Sequence, residues 1–495
     1  MNTPDESIPL KSKGTNGDKK CDKKFQNAQK FVYITTFIAY AMSHFARKSY
    51  TTVKKQMRME ADFSPELFSR LDTGFMFSYA VGSFFSGYLG DRLHPSTVVA
   101  SGLVGSALCV FGLVVGIWLD LLKKNMMIGN IFFLAIWICH GVFQSTGGPV
   151  NTAIMGNWFD DTNRGFIFGT WTCHQYVGNI IAAIVTSLVL ISPIAYWWSL
   201  VFSAIANFVW GALIYLYLPA KPSECAIQKD NDDMFDNDFD EDENGSAISF
   251  IDAIKIPAVA LYALAFGFFK LVNYVLFFWL PYFLTRIFTP STSTFISTLY
   301  DVGMMPGGII VGVVSDLYGG RRACVIVSFL LMLCPLLFLF SKYSDVMPMP
   351  VMLILLGIMG ILVGGPNNII SSAVAADLSS NPKLAHNTRS LGTVTGIING
   401  SGSITAAIGL LFIGDIQTKY GWSTVWYLLI ASTLLGCSLL VPTVYKEIFW
   451  HIEPITKEVF DMGFRYDSFD STEAINVIRK SRRLEREKSS SSLQS

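Results

Sequence analysis

Five ionisable residues lie inside long apolar stretches of the sequence, where a charge is costly. Arg47 and Lys48 follow a run of sixteen apolar or neutral residues, and Lys270 lies well inside a second apolar run. Asp72 and Asp301 lie near the beginning of two further runs. An ionisable side chain inside a membrane-spanning helix costs at least about 2.5–3.5 kcal/mol on insertion scales, so its presence indicates a function. These five residues are therefore the first candidates for a binding or gating role.

The three cations have the chemistry needed to bind a phosphate dianion. The guanidinium of Arg47 offers a bidentate fork of N–H donors, and the ammonium groups of Lys48 and Lys270 act as mobile point charges. A phosphomonoester carries about −1.5 to −2 charges at pH 7 and would neutralise cations that are otherwise costly to bury. Alternatively, the cations pair with Asp72 and Asp301 and only stabilise helix packing, or Lys48 extends toward the membrane surface.

The two carboxylates are better suited to gating than to binding an anion. Asp72 and Asp301 are expected near the outer ends of their helices, in a region that also contains Lys54, Lys55 and Arg58. A salt bridge between these groups could close the outer side of the protein. Residues at the opposite helix ends are expected to form the inner counterpart of this gate: Asp91, Arg92, Asp316, Arg321 and Arg322.

Further polar residues in apolar stretches complete the candidate binding site. His44 precedes Arg47 by three residues, so the two share one face of a helix. The candidates besides His44 are Asn273, Tyr274, Gln144, Asn151, His174, Asn368 and Asn399. Each of these candidates could contact substrate hydroxyl groups or form a hydrogen bond between helices, and a histidine could also couple protons.

The composition of the whole chain indicates that a bilayer surrounds these residues. Of the 495 residues, 51% are hydrophobic and only 15% are charged, whereas soluble domains carry about 25% charged residues. Lys plus Arg and Asp plus Glu number 37 each, and this neutral balance gives no reason to expect a nucleic acid as partner. The chain is therefore predicted to be an all-α polytopic membrane protein in a lipid bilayer.

Twelve stretches have the length and apolar character needed to cross a bilayer as helices. Polar tails at 1–30 and 446–495 flank two six-helix bundles at 31–218 and 253–445, and an acidic loop at 219–252 separates them. An even number of spans puts both tails on one side, and the Lys and Arg residues there predict that this side is cytoplasmic. The predicted spans are 31–54, 70–91, 97–120, 126–149, 164–191, 194–218, 256–285, 295–315, 322–341, 349–376, 389–414 and 421–444.

The two halves of the chain repeat. The second span ends in Gly-Tyr-Leu-Gly-Asp91 and the eighth ends in Gly-Val-Val-Ser-Asp316, an offset of 225 residues. The fifth and eleventh spans begin at Arg164 and Arg389, which are again 225 residues apart. Such a repeat is typical of transporters built from two pseudo-symmetric bundles, with the binding site between them at mid-membrane. Arg47 and Lys270 would then approach this site from equivalent helices.

Several motifs resemble those of a known transporter family. The run Gly312–Arg322 is similar to the loop signature of the major facilitator superfamily, whereas the first-half copy departs from it after Arg92. A finer resemblance is to the organophosphate:phosphate antiporter branch and, within it, to the sugar phosphate exchangers. The motifs that carry this resemblance are Ala46–Tyr50, Leu71–Thr73, Phe77–Gly82, Gln144–Gly147, Met155–Phe159, Lys270–Tyr274, Phe278–Pro281, Tyr300–Gly303, Gly364–Pro366, Ala375–Leu378, Thr393–Gly396 and Gly400–Ile404.

The resemblance implies exchange of a sugar phosphate or glycerol phosphate for inorganic phosphate by rocking of the two bundles. It also implies that Arg47, Lys48 and Lys270 hold the phosphoryl group. One motif departs from the bacterial relatives: in the run Trp171–Gln175, the histidine His174 falls one position early. The resemblance further implies an endoplasmic reticulum or lysosomal membrane and a possible small membrane-protein partner.

Other functions remain as alternatives or are disfavoured. The chain could export another phosphate- or phosphonate-like anion together with a partner membrane protein, or it could be a proton-coupled anion symporter. A receptor or scaffold that retains the fold without transport is a further alternative. No Gly-x-x-x-x-Gly-Lys-Ser/Thr motif is present, which disfavours an ATP-driven pump. The apolar spans contain no paired carboxylates and no cysteines at metal-ligand spacing, so neither an enzyme nor a bound metal or cofactor is expected.

Overall fold

A computed structural model of the chain describes residues 16–159, 164–225, 257–375, 378 and 390–449. This part of the chain is helical, and no strand occurs in it. Most of the acidic loop and of the C-terminal tail and half of the N-terminal tail lie outside the described residues, as do Asp377 and Arg389.

The first half of the chain contains the helices α1 (Asn16–Thr52), α2 (Lys54–Glu60), α3 (Pro65–Arg92), α4 (Pro95–Trp118), α5 (Leu121–Lys124), α6 (Met126–Ser145), α7 (Gly147–Trp158), α8 (Arg164–Trp171), α9 (His174–Ile191) and α10 (Trp198–Tyr217). A short 3-10 helix follows at Pro222–Cys225. The second half contains α11 (Pro257–Leu284), α12 (Pro290–Leu317), α13 (Arg322–Tyr343), α14 (Met349–Ile369), α15 (Ser390–Leu411), α16 (Ile413–Tyr420) and α17 (Trp422–Phe449).

Ten helical segments of the described chain are long and apolar enough to cross a membrane. They coincide with ten of the twelve predicted spans. Of the other two predicted spans, the first overlaps α1 and ends where α2 begins, and the second lies within α3; α1 and α3 are 37 and 28 residues long but less apolar than the rest. Part of the reason in α1 is the Arg47–Lys48 pair, whose charges lower the mean hydropathy of this helix.

The equivalent helices α3 and α12 begin in the same way. The side chain of Ser64 accepts a hydrogen bond from the backbone N–H of Leu67 at 3.1 Å, and Thr289 accepts one from Thr292 at 3.3 Å. A proline follows each of these capping residues, at the position where a helix does not need the missing N–H. The repeat in the sequence therefore extends to the signals that start these helices.

Three predicted spans are interrupted in the structure, although the sequence was expected to form continuous helices there. The fourth is divided between α6 and α7 at Thr146, the fifth between α8 and α9, and the eleventh between α15 and α16 at Phe412. The first break precedes Gly147-Gly148-Pro149, and proline removes a helical hydrogen bond. In the tenth span, Pro366 lies inside α14 and a π-helical turn follows at Ile370–Val374.

Close backbone packing joins α12 to α14. A Cβ atom added to Gly303 would lie 2.9 Å from the carbonyl carbon of Gly357, and one added to Gly364 would lie 2.8 Å from the Cα of Met304. Only glycine permits such an approach, and small residues are the usual contact of membrane helices. Between the two halves, α9 packs against α12, α3 against α15 and α1 against α11.

Candidate functional site

Arg47 is held in a buried site of the first half without a carboxylate partner. Its Nε and Nη2 atoms donate hydrogen bonds of 3.1 and 3.0 Å to Oε1 of Gln144 on α6. The guanidinium also lies over the rings of Phe75 and Tyr79, 4.8 and 4.9 Å from their centroids. Among the described residues, Arg47 forms no ion pair, and the side chains that contact its guanidinium are neutral.

Gln144 is fixed in the orientation that Arg47 requires. Its Nε2 atom donates to the backbone carbonyl of Ser43 at 2.9 Å and to Oγ of Ser106 at 3.3 Å. The same atom lies 3.2 Å from Nε2 of His140. These contacts direct the amide oxygen of Gln144 toward Arg47. In this geometry, Gln144 orients the guanidinium through hydrogen bonds between α1 and α6, which is the alternative to a substrate contact that the sequence left open.

Lys48 is paired with a carboxylate from the other half of the chain. Its Nζ atom lies 3.0 Å from Oδ2 of Asp301 on α12, and both side chains are almost fully buried. Asn179 on α9 donates a hydrogen bond of 2.8 Å to the other oxygen of Asp301. The Lys48 ammonium also lies 4.7 Å from the centroid of the Phe277 ring on α11. A predicted anion ligand and a predicted gate residue therefore form one ion pair between the two halves.

Lys270 has neutral partners only, as Arg47 has. Its Nζ atom donates hydrogen bonds to Oγ of Ser403 at 2.9 Å and to the backbone carbonyl of Asn399 at 3.0 Å. It also approaches Oδ1 of Asn399 at 3.3 Å and the ring of Phe266 at 4.7 Å. No ion pair of Lys270 occurs within the described ranges. Ser403 was not predicted as a site residue, but it follows Asn399 by one helical turn and shares its face.

Tyr274 links the surroundings of the two unpaired cations. The centroid of its ring lies 6.3 Å from that of Phe278, which lies 6.4 Å from that of Phe75, a ring beneath the Arg47 guanidinium. One turn of helix therefore presents Tyr274 and Lys270 on the same side of α11. Arg47 and Lys270 consequently flank one region between the two halves, as equivalent helices of a repeat should.

Several predicted residues lie in hydrogen bonds that hold helices in position. Asn368 on α14 donates to the hydroxyl of Tyr176 on α9 at 2.9 Å, which is a contact between the two halves. The hydroxyl of Tyr300 donates to Oδ1 of Asn273 at 2.9 Å. Asn151 donates to the carbonyl of Gly147 in its own helix, and no described contact joins it to the cations.

Asp72 forms a second buried ion pair, with Lys54. The two groups approach to 2.6 Å, and both side chains are fully buried. The sequence placed Lys54 at the outer end of the first predicted span, among the cations that could pair with Asp72 or Asp301, and in the structure it begins the short helix α2, whose first residues are buried. Its ammonium is surrounded by aromatic rings from both halves, with the nearest centroids at 4.6 and 5.0 Å: Trp279, Tyr50, Phe68 and Phe278. We call these four rings and Lys54 the aromatic cage.

The inner counterpart of the gate is only partly described. Asp91 and Arg92 end α3, and their side chains lie outside the described residues. Asp316 is exposed near the end of α12, and Arg321 and Arg322 are half-buried where α13 begins. The described contacts include no ion pair between Asp316 and Arg321, so a salt bridge at this gate remains a prediction.

Among the described residues, contacts between the halves concentrate at one end of the helices, where α1, α9 and α11 end and α3 and α12 begin. We call this end the distal face. The hydroxyls of Ser187 and Ser291 are 2.7 Å apart there, and Arg58 donates to the hydroxyl of Tyr282. The backbone N–H of Gly414 donates to Oγ of Ser69 at 2.5 Å. In this structure, the two halves are joined at the distal face, close to both buried ion pairs.

The fold and the paired arrangement of the helices are those of a known family. The sequence profile of the Major Facilitator Superfamily matches residues 36–288 and 262–482, which together include most of the chain. The chain belongs to the major facilitator superfamily. It is a multi-pass membrane protein with the two-bundle fold of this family.

Similar facilitators come from animals and plants. The chain is 34% identical over 475 residues to "Sugar phosphate exchanger 3" of Gallus gallus, with 84% of this chain and 92% of the relative covered. It is 32% identical over 482 residues to the protein of the same name in Homo sapiens, covering 86% and 94%. A protein of Arabidopsis thaliana, "Putative glycerol-3-phosphate transporter 3", is 34% identical over 449 residues, covering 83% and 86%.

Solved structures of other facilitators share the fold at low sequence identity. A D-xylose-proton symporter has a TM-score of 0.64 at 10% identity, covering 83% of this chain and 97% of the symporter. The D323A mutant of the nucleoside transporter NupG has a TM-score of 0.62 at 14% identity, covering 83% and 99%. At such identities the similarity extends to the fold alone.

The two unpaired cations have the chemistry that an anion between the two halves would require. Arg47 and Lys270 offer N–H donors and positive charge, and the surrounding amides, hydroxyls and rings hold both in place. Ligand sites of two-bundle transporters lie at this position between the repeats. Neutral hydrogen-bonding partners leave the charge of both cations available to a ligand.

Proposed function

We propose that this chain is a secondary active transporter that exchanges an organophosphate, either a sugar phosphate or a glycerol phosphate, for inorganic phosphate by alternating access. The observation that carries this proposal is the pair of buried cations, Arg47 and Lys270, without a carboxylate partner among the described residues. The names of the most similar proteins support a phosphorylated cargo, because they include sugar phosphate exchangers and a glycerol phosphate transporter.

The charge balance of the buried residues supports a doubly charged ligand. The buried charged residues of the described chain are four cations and two carboxylates, and the carboxylates pair with Lys48 and Lys54. Two positive charges, one in each half, therefore have no buried counterpart. A phosphomonoester or inorganic phosphate carries about −1.5 to −2 charges at pH 7 and matches this excess. A neutral sugar would leave both cations uncompensated in a region where that is costly.

The ion pair between Lys48 and Asp301 gives the exchange a mechanism. Lys48 follows Arg47 on α1, so the negative charge of a phosphoryl group bound at Arg47 attracts the Lys48 ammonium, repels Asp301 and weakens the ion pair between them. Because Lys48 and Asp301 belong to different halves, weakening of their ion pair removes one contact that holds the distal face closed. A bound anion thus favours opening, whereas the empty protein retains the ion pair. Exchange then requires an anion on each passage across the membrane.

The experiment that tests this function is counterflow in liposomes that contain the purified protein. Preloaded inorganic phosphate should accelerate uptake of labelled hexose phosphate or glycerol 3-phosphate, and a proton ionophore should not change the rate. Arg47→Ala and Lys270→Ala should abolish this uptake. Arg286→Ala serves as the matched control, because Arg286 is an exposed cation that pairs with Asp345. If phosphate preloading has no effect on the wild-type protein, the exchange is refuted.

We further propose that the exchanger operates in an intracellular membrane, the endoplasmic reticulum or the lysosome, with both termini in the cytosol. The basic N-terminal tail and the Arg321–Arg322 pair support this orientation through the positive-inside rule. A small membrane-protein partner belongs to the same proposal. Antibody access to tags at each terminus after selective permeabilisation of the plasma membrane tests the orientation. Co-purification from the intracellular membrane tests the partner. Tags that stay inaccessible would contradict cytosolic termini.

A further inference from the structure

Two buried histidines near Arg47 have ring nitrogens without a hydrogen-bond partner. Both nitrogens of His174 and the Nδ1 atom of His44 are unpartnered in the part of the chain that the structure describes. The two residues are 2% and 8% exposed, respectively. By contrast, both nitrogens of the buried His140 have partners at 3.2 Å, Ser106 and Gln144. Buried polar atoms are nearly always paired, so the exceptions require a reason.

The aromatic side chains around these histidines are held in fixed orientations. The Tyr40 ring lies 4.2 Å from the ring of His174 and 5.3 Å from that of His44, and the Trp171 ring lies 4.5 Å from His174. Trp171 donates its Nε1–H to Thr36 at 3.1 Å. These four residues, His44, His174, Tyr40 and Trp171, form what we call the histidine pocket. Its aromatic members have no free polar group, whereas its histidines do.

The histidine pocket adjoins the site of the phosphoryl group. The hydroxyl of Tyr40 lies 3.1 Å from the hydroxyl of Tyr79, and the ring of Tyr79 lies beneath the Arg47 guanidinium. His44 also precedes Arg47 by one helical turn on the same face of α1. A ligand with its phosphoryl group at Arg47 could therefore extend its organic part along α1 toward His44 and His174.

The chemistry of the histidine pocket matches a polyhydroxylated group. A neutral imidazole offers one N–H donor and one acceptor nitrogen, and a hydroxyl group both donates and accepts. Aromatic faces bury the C–H surface of a sugar ring, which is apolar. Inorganic phosphate has neither an apolar surface nor the length to reach beyond Arg47. The histidine pocket is thus suited to the part of a sugar phosphate that inorganic phosphate lacks.

We propose that His44 and His174 bind the hydroxyl groups of the organic part of the cargo and determine the preference for a sugar phosphate over inorganic phosphate. This inference rests on the proposed exchange of an organophosphate for phosphate. The histidines of α1 and α9 thus select the organic part of the cargo, whereas Arg47 and Lys270 recognise its charge.

The test compares two half-saturation constants in the same liposome preparation. His174→Phe keeps an aromatic ring but removes both nitrogens, and it should raise the KM for a hexose phosphate about tenfold relative to the KM for phosphate, as expected for the loss of one or two hydrogen bonds. His174→Gln, which retains a donor and an acceptor, should recover part of this ratio. His140→Phe is the matched control. It should weaken transport of both substrates equally, because His140 acts through Gln144 on Arg47.

The role of the histidine pocket and the proposed exchange can fail separately in these measurements. A KM ratio that stays within twofold of the wild-type value in a His174→Phe protein of normal abundance overturns the role of the histidine pocket. A larger loss for a bisphosphonate than for the hexose phosphate also overturns it, since the pocket would then bind a second anion. If the wild-type protein exchanges neither substrate for phosphate, the proposed function itself fails.

Discussion

Neutralising Asp301 should open the distal face. Lys48 and Asp301 join the two halves at 3.0 Å, which corresponds to an attraction of about 5–6 kcal/mol at an effective dielectric constant of about 20. Asp301→Asn keeps the shape of the side chain and removes this attraction, while the Lys48 ammonium stays buried. Removal of one partner of a buried ion pair costs about 3–5 kcal/mol. The equilibrium between the closed and open distal face should therefore shift by about 10²- to 4 × 10³-fold.

The assay measures access to a cysteine placed inside the distal face. Ser291→Cys provides this reporter in a background without the native cysteines, because Ser291 is buried in the contact with Ser187. A membrane-impermeant maleimide should label it at least about 100-fold faster when Asp301→Asn is added. Inorganic phosphate should also accelerate labelling of the parent protein, because its charge weakens the ion pair between Lys48 and Asp301.

A matched control uses an exposed ion pair of the same chain. Asp345→Asn removes the partner of Arg286 at the surface, where such pairs contribute about 0–1 kcal/mol. It should leave the labelling rate of the reporter unchanged within about fivefold. If Asp301→Asn labels no faster than this control while the purified protein remains monodisperse, the ion pair does not hold the distal face closed.

Three further substitutions test individual features of the structure. Lys54→Met should lower the free energy of unfolding by about 3–5 kcal/mol, because it leaves the Asp72 carboxylate buried and unpaired. The double variant with Asp72→Leu should recover most of this loss in detergent unfolding curves. Equal stability of the single and double variants would argue against a buried pair. Gly303→Ala should lower the melting temperature, since its methyl group meets the backbone of α14. Gly312→Ala has open space around the added methyl group and should have no such effect. Similar melting temperatures of the two variants would contradict the close packing of α12 and α14. Arg47→Lys should raise the half-saturation constant for phosphate in counterflow about tenfold or more, since lysine cannot reproduce the two hydrogen bonds to the Gln144 oxygen. An unchanged constant would show that these two hydrogen bonds are not required.

The burial of the central charges could be predicted from the sequence alone. A run of about 20 apolar residues crosses a bilayer, and a charge within it is expensive wherever the helix is placed. This physical constraint is local, so Arg47, Lys48 and Lys270 could be identified without knowledge of any contact. The repeat between Asp91 and Asp316 is equally visible in the sequence, and it indicated two bundles with a site between them.

The partners of these charges could not be predicted, because they depend on how distant helices pack. The sequence was consistent with Lys48 binding phosphate or a carboxylate, and the structure pairs it with Asp301. Lys54 was one of several cations that could pair with Asp72 or Asp301, and the structure pairs it with Asp72 inside the aromatic cage, where rings from both halves surround it. Gln144 could equally have contacted a substrate, but its hydrogen bonds orient Arg47. Each of these contacts joins residues that are far apart in the chain.

The sequence by itself therefore determined which groups are buried and that they are mostly positive, because the cost of burying a charge is set by the length and apolar character of its own helix. Only the tertiary structure decided which cations are neutralised and which remain available to an anion. Neutralisation requires a carboxylate within about 4 Å, and that distance is set by the packing of α1 and α11 against helices from the rest of the chain. Arg47 and Lys270 remain without a carboxylate among the described residues because their neighbours there are amides, hydroxyls and aromatic rings.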